Sequence, residues 1–172
     1  LIEKDPLLYK RLLNSKGPTE RESFNKLSIS LTHLCNLNCN ICYLPKRTNY
    51  NLPFEDMKRI VAGFEGKYIR LSGGEPTLRK DLPQIINYIV VNDKTPILVT
   101  NGIRLANYEY ARKLKDAGLK WVHFSFNGFS DAVYEKINGK KLLRNKLKVI
   151  KNLRRVKINT ILSIMLVKGV NE

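Results

Sequence analysis

The sequence contains few cysteines, few histidines and few acidic residues, and it lacks any long hydrophobic run. No apolar stretch approaches the ~20 residues that cross a bilayer, so no transmembrane segment is predicted. The three cysteines are odd in number and lie within eight residues of the chain, which argues against a disulfide-stapled secreted domain. The N-terminus has charges inside its apolar stretch and no small-residue cleavage site, unlike a signal peptide. We therefore predict a cytoplasmic protein.

Acidic residues are scarce, because 15 Asp and Glu stand against 31 Lys and Arg, which gives a formal net charge of +16. This excess favours an acidic or phosphate-bearing partner and does not determine the fold. Nine basic residues lie between Lys140 and Lys157 without an acidic residue, and Leu143, Leu147 and Ile150 follow helical spacing. The predicted helix either exposes a solvated basic face or contacts tRNA or an anionic lipid. A basic nucleic-acid-binding protein is therefore one hypothesis for the chain.

Hydrophobic residues make up 43% of the sequence, which is enough to build the core of one domain. Residues 1–26 are predicted to form a polar leader with a short helix around 7–13. In residues 27–172, strands alternate with helices, which implies right-handed crossovers and a parallel sheet or barrel. The predicted strands are 27–32, 68–72, 96–100, 120–125 and 161–167, and the predicted helices are 53–64, 82–90, 106–117, 131–137 and 141–153.

Side chains alternate in polarity along these strands. In the first strand Ile29 and Leu31 alternate with Ser28 and Ser30, and His123 lies on the polar face of the fourth strand. A parallel strand covered by helices on both faces is usually apolar on both. We therefore predict helices on one side of the sheet and a polar cavity on the other, as in a partly open barrel that holds a ligand. The alternative is an antiparallel sheet with one solvated face.

The cysteines Cys35, Cys39 and Cys42 follow the first strand with the spacing CxxxCxxC. Thiolates are the soft ligands that iron–sulfur clusters and zinc prefer. Three thiolates on one loop can hold three corners of a cubane cluster and leave the fourth iron open for a ligand. The alternative is a structural zinc site of the Cys3His type that uses His33, in a zinc-stabilised binding module.

Four more motifs follow in order, each at the end of a predicted strand: SGGEP at 72–76, TNG at 100–102, SFN at 125–127 and VKGVN at 167–171. Glycines let the backbone approach a ligand closely, and a carboxylate can pair with an ammonium group. In this order, the motifs and the cysteine loop resemble the radical S-adenosylmethionine (radical SAM) superfamily. The resemblance covers about residues 27–171 and implies a partial, open (β/α)6-type barrel, with about five strands present and the chain ending before a sixth.

The resemblance also implies a [4Fe–4S] cluster on the three cysteines and S-adenosylmethionine as the second cofactor. Glu75 and the backbone of Gly73 and Gly74 would hold its ammonium group, and Thr100 with Ser125 its carboxylate. Asn127 and Ser163 would contact the ribose, and Tyr43 would contact the adenine. Matching the upstream KIN triplet would select Asn159 in place of Ser163; we prefer Ser163 because it keeps the end of the fifth strand fixed.

The implied reaction begins with an electron from a flavodoxin- or ferredoxin-type donor. The cluster passes it to S-adenosylmethionine, whose cleavage gives methionine and a 5′-deoxyadenosyl radical that abstracts hydrogen from an unidentified substrate. Residues 125–143 resemble archaeal enzymes of the pterin methyltransferase and tetraether-lipid synthase group, although Asn127-Gly128 replaces their usual Asp-Gly. A molybdenum-cofactor-type cyclase and a peptide-modifying enzyme are the alternatives. Both usually carry further cysteine ligands in a C-terminal extension, and the chain has no fourth cysteine.

Overall fold

The computed structural model describes residues 25–44 and 48–172. The helix predicted around 7–13 lies outside the described residues. Five strands form one parallel sheet in the order β1-β2-β3-β4-β5, and helices connect them. The strands are β1 Lys26–Thr32, β2 Tyr68–Gly73, β3 Thr95–Thr100, β4 Trp121–Ser125 and β5 Asn159–Ser163. The helices are α1 Phe54–Gly63, α2 Leu82–Val91, α3 Tyr108–Asp116, α4 Asp131–Asn138 and α5 Leu143–Arg155.

The helix boundaries follow local capping chemistry. The side chain of Asn107 accepts a hydrogen bond from the backbone N–H of Tyr110 at the start of α3. Ser130 caps α4 through Val133 in the same way, and Gly139 ends α4 in the left-handed conformation with φ 71°. The predicted helix at 106–117 therefore begins later than expected, because a 3-10 turn at Ile103–Ala106 precedes its cap.

The predicted parallel sheet and its alternating faces are confirmed. Ile69, Leu71, Val122 and Phe124 are fully buried, whereas Ser28 is exposed on the other face. A sequential strand order with right-handed crossovers places all the helices on one side of the sheet. The other side, which we call the open face, carries alternate side chains, among them Lys26, Ser28, Ser30, Arg70, Ser72, His123 and Ser125.

Two predicted details were wrong. The fifth strand is Asn159–Ser163 rather than 161–167, because its pairing ends where its neighbour ends, at the register pair Ser125 and Ser163. In α5, Leu147 does not belong to the apolar stripe and is exposed, while Lys146 and Val149 take the buried positions. Within the described residues, no helix is long and apolar enough to cross a membrane.

Candidate functional site

A cavity opens beside the carboxyl ends of the strands, where parallel α/β folds place their ligands. Its wall brings together the cysteine loop and the ends of β2, β3, β4 and β5. Of the eleven predicted site residues, ten line it: Cys35, Cys39, Cys42, Tyr43, Gly73, Gly74, Thr100, Ser125, Asn127 and Ser163. Glu75 is not among the lining residues. The spacing of the motifs therefore brings nearly the whole predicted site to one place.

The three cysteines are half-buried and form no disulfide, and N–H donors are directed at the sulfurs of Cys35 and Cys39. The backbone N–H of Leu37 lies 3.5 Å from Cys35 Sγ, and the amide of Asn101 lies 3.8 Å from the same sulfur. The amide of Asn138 donates to Cys39 Sγ at 3.0 Å. N–H groups directed at sulfur stabilise the negative charge of a thiolate and tune iron–sulfur clusters. The three thiols as ligands, together with the N–H groups directed at two of the sulfurs, therefore fit an iron–sulfur cluster.

His33, the fourth ligand of the zinc alternative, does not line this cavity. Its Nδ1 lies 2.8 Å from Thr48 Oγ1, and its ring contacts the ring of Tyr50 with centroids 4.9 Å apart. Within residues 25–44 and 48–172, no three His, Cys, Asp or Glu side chains already form a group that could hold a metal ion, a finding that applies to the three cysteines as it does to a set with His33. The cavity thus offers three thiols without the histidine that a Cys3His site needs.

The two glycines of the SGGEP motif lie tightly beneath the cysteine loop. Gly73 has φ 132°, and its carbonyl accepts a hydrogen bond from the Tyr43 hydroxyl at 2.8 Å. The N–H of Gly74 donates to the carbonyl of Thr32 at 2.7 Å. A Cβ at Gly74 would lie 2.3 Å from the carbonyl oxygen of Leu34. Glycine is therefore required here, because only a residue without a side chain allows the loop to approach β2.

We expect Gly74→Ala to lower the free energy of unfolding by about 2–3 kcal/mol, since the new methyl group meets fixed backbone. Gly63→Ala at the end of α1 is the matched control, because nothing lies within 4 Å of its Cβ. Urea unfolding followed by circular dichroism measures both. Equal stability of the two variants would contradict the tight approach.

Glu75 is fully buried and makes contacts that the sequence did not predict. Its Oε1 accepts hydrogen bonds from the Thr77 N–H at 3.1 Å, the Thr77 hydroxyl at 2.6 Å and the Thr100 hydroxyl at 2.6 Å. Its Oε2 accepts from the N–H of Asn101 at 2.7 Å. The carboxylate therefore joins the turn after β2 to the end of β3.

Lys146 is a cavity residue that the sequence did not single out. It is 1% exposed, and its Nζ donates to the carbonyls of Asn101 at 2.7 Å and Ser125 at 2.8 Å. Burial lowers the pKa of Lys146 to about 8, although the charges of Glu75 and Cys39 oppose this change. The available signal was its place in the buried stripe of α5, three residues after Leu143. A buried ammonium group thus ties β3 and β4 together at the cavity.

The open-face residues named above include three basic side chains, Lys26, Arg70 and His123, and no Asp or Glu. The Nε of Arg70 is buried and has no hydrogen-bond partner among the described residues. Partial burial, followed by the charges of Arg70 and Lys26, lowers the pKa of His123. This face offers hydrogen-bond donors to a substrate that lies next to the cavity.

Two proteins of known sequence resemble the chain over most of its length. A 7,8-dihydro-6-hydroxymethylpterin dimethyltransferase of Methanocaldococcus jannaschii is 36% identical over 167 residues, covering 90% of the chain and 33% of the enzyme. A probable GTP 3',8-cyclase of Sulfolobus acidocaldarius is 34% identical over 157 residues, covering 85% and 50%. The chain therefore spans between a third and a half of the length of these relatives.

The crystal structure of Streptococcus suis SuiB bound to its precursor peptide SuiA has the same fold. Its TM-score is 0.69 at 20% identity, and the match covers 84% of the chain and 34% of SuiB. Residues 29–172 match the Radical SAM superfamily. This span includes the cysteine loop and the carboxyl ends of all five strands, and it omits only the first three residues of β1. The chain belongs to the radical SAM superfamily.

Proposed function

We propose that the chain is the core of a radical SAM enzyme that binds a [4Fe–4S] cluster through Cys35, Cys39 and Cys42. The observation that carries this proposal is one cavity that is lined by three cysteines without a disulfide and by the ends of four strands. When bound, the cluster supplies an electron that cleaves S-adenosylmethionine reductively and starts hydrogen abstraction from a substrate. The protein's residues hold the cofactors in register and exclude competing hydrogen donors.

The cavity supports a specific placement of S-adenosylmethionine. The carbonyl groups of Gly73 and Gly74 would accept from its ammonium group, and the hydroxyl of Ser125 would donate to its carboxylate. Thr100, the other residue expected at the carboxylate, already donates its hydroxyl proton to Glu75 and would act as a positioning residue. The other candidates are Asn127 and Ser163 for the ribose and Tyr43 for the adenine. Glu75 supports this arrangement from behind the wall, since its carboxylate holds Thr100 and the turn after Gly74 in place.

Lys146 lines the same cavity, and its ammonium group would supply positive charge to a bound carboxylate. We expect Lys146→Met to weaken S-adenosylmethionine binding about 10- to 100-fold, because charge-assisted hydrogen bonds contribute roughly 1.5–3 kcal/mol. The contribution of Lys146 to the affinity should fall as rising pH neutralises its amine, whose pKa is lowered by burial to about 8 in the protein without a cluster. Isothermal titration of the cluster-loaded protein from pH 7 to 9.5 measures both effects.

Lys148→Met is the matched control, because Lys148 is exposed on the same helix and does not line the cavity. It should bind S-adenosylmethionine with wild-type affinity. Lys146→Arg should lose the part of the pH dependence that comes from Lys146 and keep only the part that comes from the amino group of S-adenosylmethionine itself. If Lys146→Met and Lys148→Met bind equally well, Lys146 does not act on the bound carboxylate.

The substrate and reaction are proposed only by class. The two relatives are named as a methyltransferase and a cyclase, and both names include a heterocyclic compound, a pterin in the first and GTP in the second. The unpartnered Nε of Arg70 and the absence of a carboxylate among the open-face residues described above support a substrate with hydrogen-bond acceptors or negative charge. A one-electron donor of the flavodoxin or ferredoxin type would reduce the cluster. The exposed basic residues of α5 could bind phosphate groups, so tRNA and anionic lipid are further candidate partners.

Anaerobic reconstitution of the chain with iron and sulfide tests this proposal. We expect a broad absorption near ~400 nm, about four iron atoms per chain, and 5′-deoxyadenosine when dithionite and S-adenosylmethionine are added. A colourless protein that retains one zinc ion in air would support the zinc-stabilised module instead. Steeply salt-dependent RNA binding without any cluster would support the nucleic-acid-binding hypothesis.

A further inference from the structure

The C-terminal end of α4 is attached to the cysteine loop by three hydrogen bonds from side chain and backbone. The N–H of Asn40 donates to the carbonyl of Ile137 at 2.9 Å, and the Asn40 amide donates to the carbonyl of Lys136 at 2.8 Å. The third bond joins the amide of Asn138 to Cys39 Sγ at 3.0 Å. The first two fix the loop against the helix, whereas the third ends on a predicted cluster ligand.

The two polar atoms of the Asn138 side chain differ in their hydrogen bonding. The residue is 5% exposed and lines the cavity. Its Nδ2 donates to the sulfur of Cys39, but its Oδ1 is buried and has no hydrogen-bond partner. Buried polar atoms are nearly always paired, so an unpaired acceptor beside a cavity indicates a donor that arrives with a ligand.

The chemistry of a thiolate fixes which end of the amide faces the sulfur. A metal-bound thiolate has no proton and can only accept a hydrogen bond, so the NH2 group must face Cys39. The carbonyl oxygen then remains as an acceptor in the cavity wall. A ligand that fills the cavity with a hydroxyl or an ammonium group can satisfy this oxygen.

We propose that Asn138 is a positioning residue that bridges Cys39 and the bound ligand: Nδ2 donates to the cluster-bound sulfur, and Oδ1 accepts from a hydroxyl or ammonium group of S-adenosylmethionine. This inference rests on the proposed function. It has two consequences. The N–H···S bond stabilises the reduced cluster, which carries more negative charge, and so raises its reduction potential. The contact at Oδ1 strengthens binding of the ligand, and it couples the position of the ligand to the electronic state of the cluster.

Two variants separate these consequences. Asn138→Leu keeps the approximate volume and removes both the donor and the acceptor. Asn138→Asp keeps an acceptor oxygen but replaces the donor with a negatively charged group beside the sulfur. Asn92→Leu is the matched control, since Asn92 is half-buried and its amide donates only to the carbonyl of Tyr88 at the end of α2.

The experiment is an EPR-monitored redox titration of each reconstituted protein, together with S-adenosylmethionine binding by isothermal titration. We expect the midpoint potential to fall in Asn138→Leu and to fall further in Asn138→Asp. Loss of one hydrogen bond at Oδ1 should weaken S-adenosylmethionine binding about five-fold in Asn138→Leu. Asn92→Leu should match the wild-type protein in both measurements.

The outcomes distinguish this inference from the proposed function. A wild-type protein without a cluster overturns both. A wild-type protein with a cluster, combined with unchanged potential in both Asn138 variants, overturns the inference alone. If Asn138→Leu does not fold, the potential of Asn138→Asp decides, because its side chain keeps the shape of asparagine. A structural role alone would lower the unfolding temperature without moving the potential of the folded protein.

Discussion

Replacing any one of Cys35, Cys39 and Cys42 with alanine is expected to abolish the cluster. The three thiols converge on one cavity, and the chain has no other cysteine that could substitute for the missing ligand. We expect the bound iron to fall from about four atoms per chain to less than about one. 5′-Deoxyadenosine formation should fall by more than about 100-fold, since even changes around metal ligands cost about 10- to 100-fold. Iron analysis, the absorption near ~400 nm and product detection measure these effects.

Folding must be separated from loss of the ligand in these variants. Thr160→Ala on the exposed strand β5 is the control, because its hydroxyl only contacts the carbonyl of Ile158. Each cysteine variant should retain the far-ultraviolet circular dichroism spectrum of the wild-type protein, since the cysteines contact only a small apolar cluster of Leu37, Tyr134 and Leu142 and not the main core. Full cluster content in any single variant would show that the corresponding thiol is not a ligand.

Glu75→Gln is expected to cause the largest loss of stability. A glutamine side chain has one oxygen and one NH2 group, whereas Glu75 accepts from the backbone N–H of Thr77 on one oxygen and of Asn101 on the other. A hydroxyl can rotate, but a backbone N–H cannot, so one buried N–H must face the NH2 group. We expect the free energy of unfolding to fall by about 2–4 kcal/mol. The midpoint of thermal unfolding should fall by roughly 5–15 °C in a domain of this size.

Glu135→Gln is the matched control for this change. Glu135 is exposed on α4, and its ion pair with Lys141 spans 4.0 Å, a geometry that contributes little. Differential scanning calorimetry of the two variants compares the same substitution in a buried and in an exposed position. Similar unfolding temperatures would mean that the buried carboxylate does not hold the turn and the end of β3 together.

Much of the fold was predictable because local chemistry and global topology agree in this chain. Ile29 and Leu31 alternate with serines, which sets the buried face of β1, and Gly118 and Gly139 follow helices as expected. The cysteine loop and the SGGEP motif were also predictable as a site, because parallel strands bring their carboxyl ends to one edge of the sheet.

The remaining features depend on contacts between residues far apart in the chain. Lys146 is one of nine basic residues in a run, and only its packing against β3 and β4 distinguishes it from its exposed neighbours. Asn138 and Cys39 are 99 positions apart, so no local pattern predicts their hydrogen bond. The expected direct contact of Glu75 with a ligand depended on where its side chain points, and the motif does not determine this. The motifs therefore could not predict the part of the site that depends on long-range hydrogen bonds.

The most direct test of the central claim is the EPR spectrum of the reduced, reconstituted chain before and after addition of S-adenosylmethionine. If the three cysteines that line the cavity hold a cluster and leave one iron for S-adenosylmethionine, the g-values of the reduced cluster should change when the ligand is added. An iron–sulfur signal that S-adenosylmethionine leaves unchanged, or the absence of any iron–sulfur signal, would contradict the account.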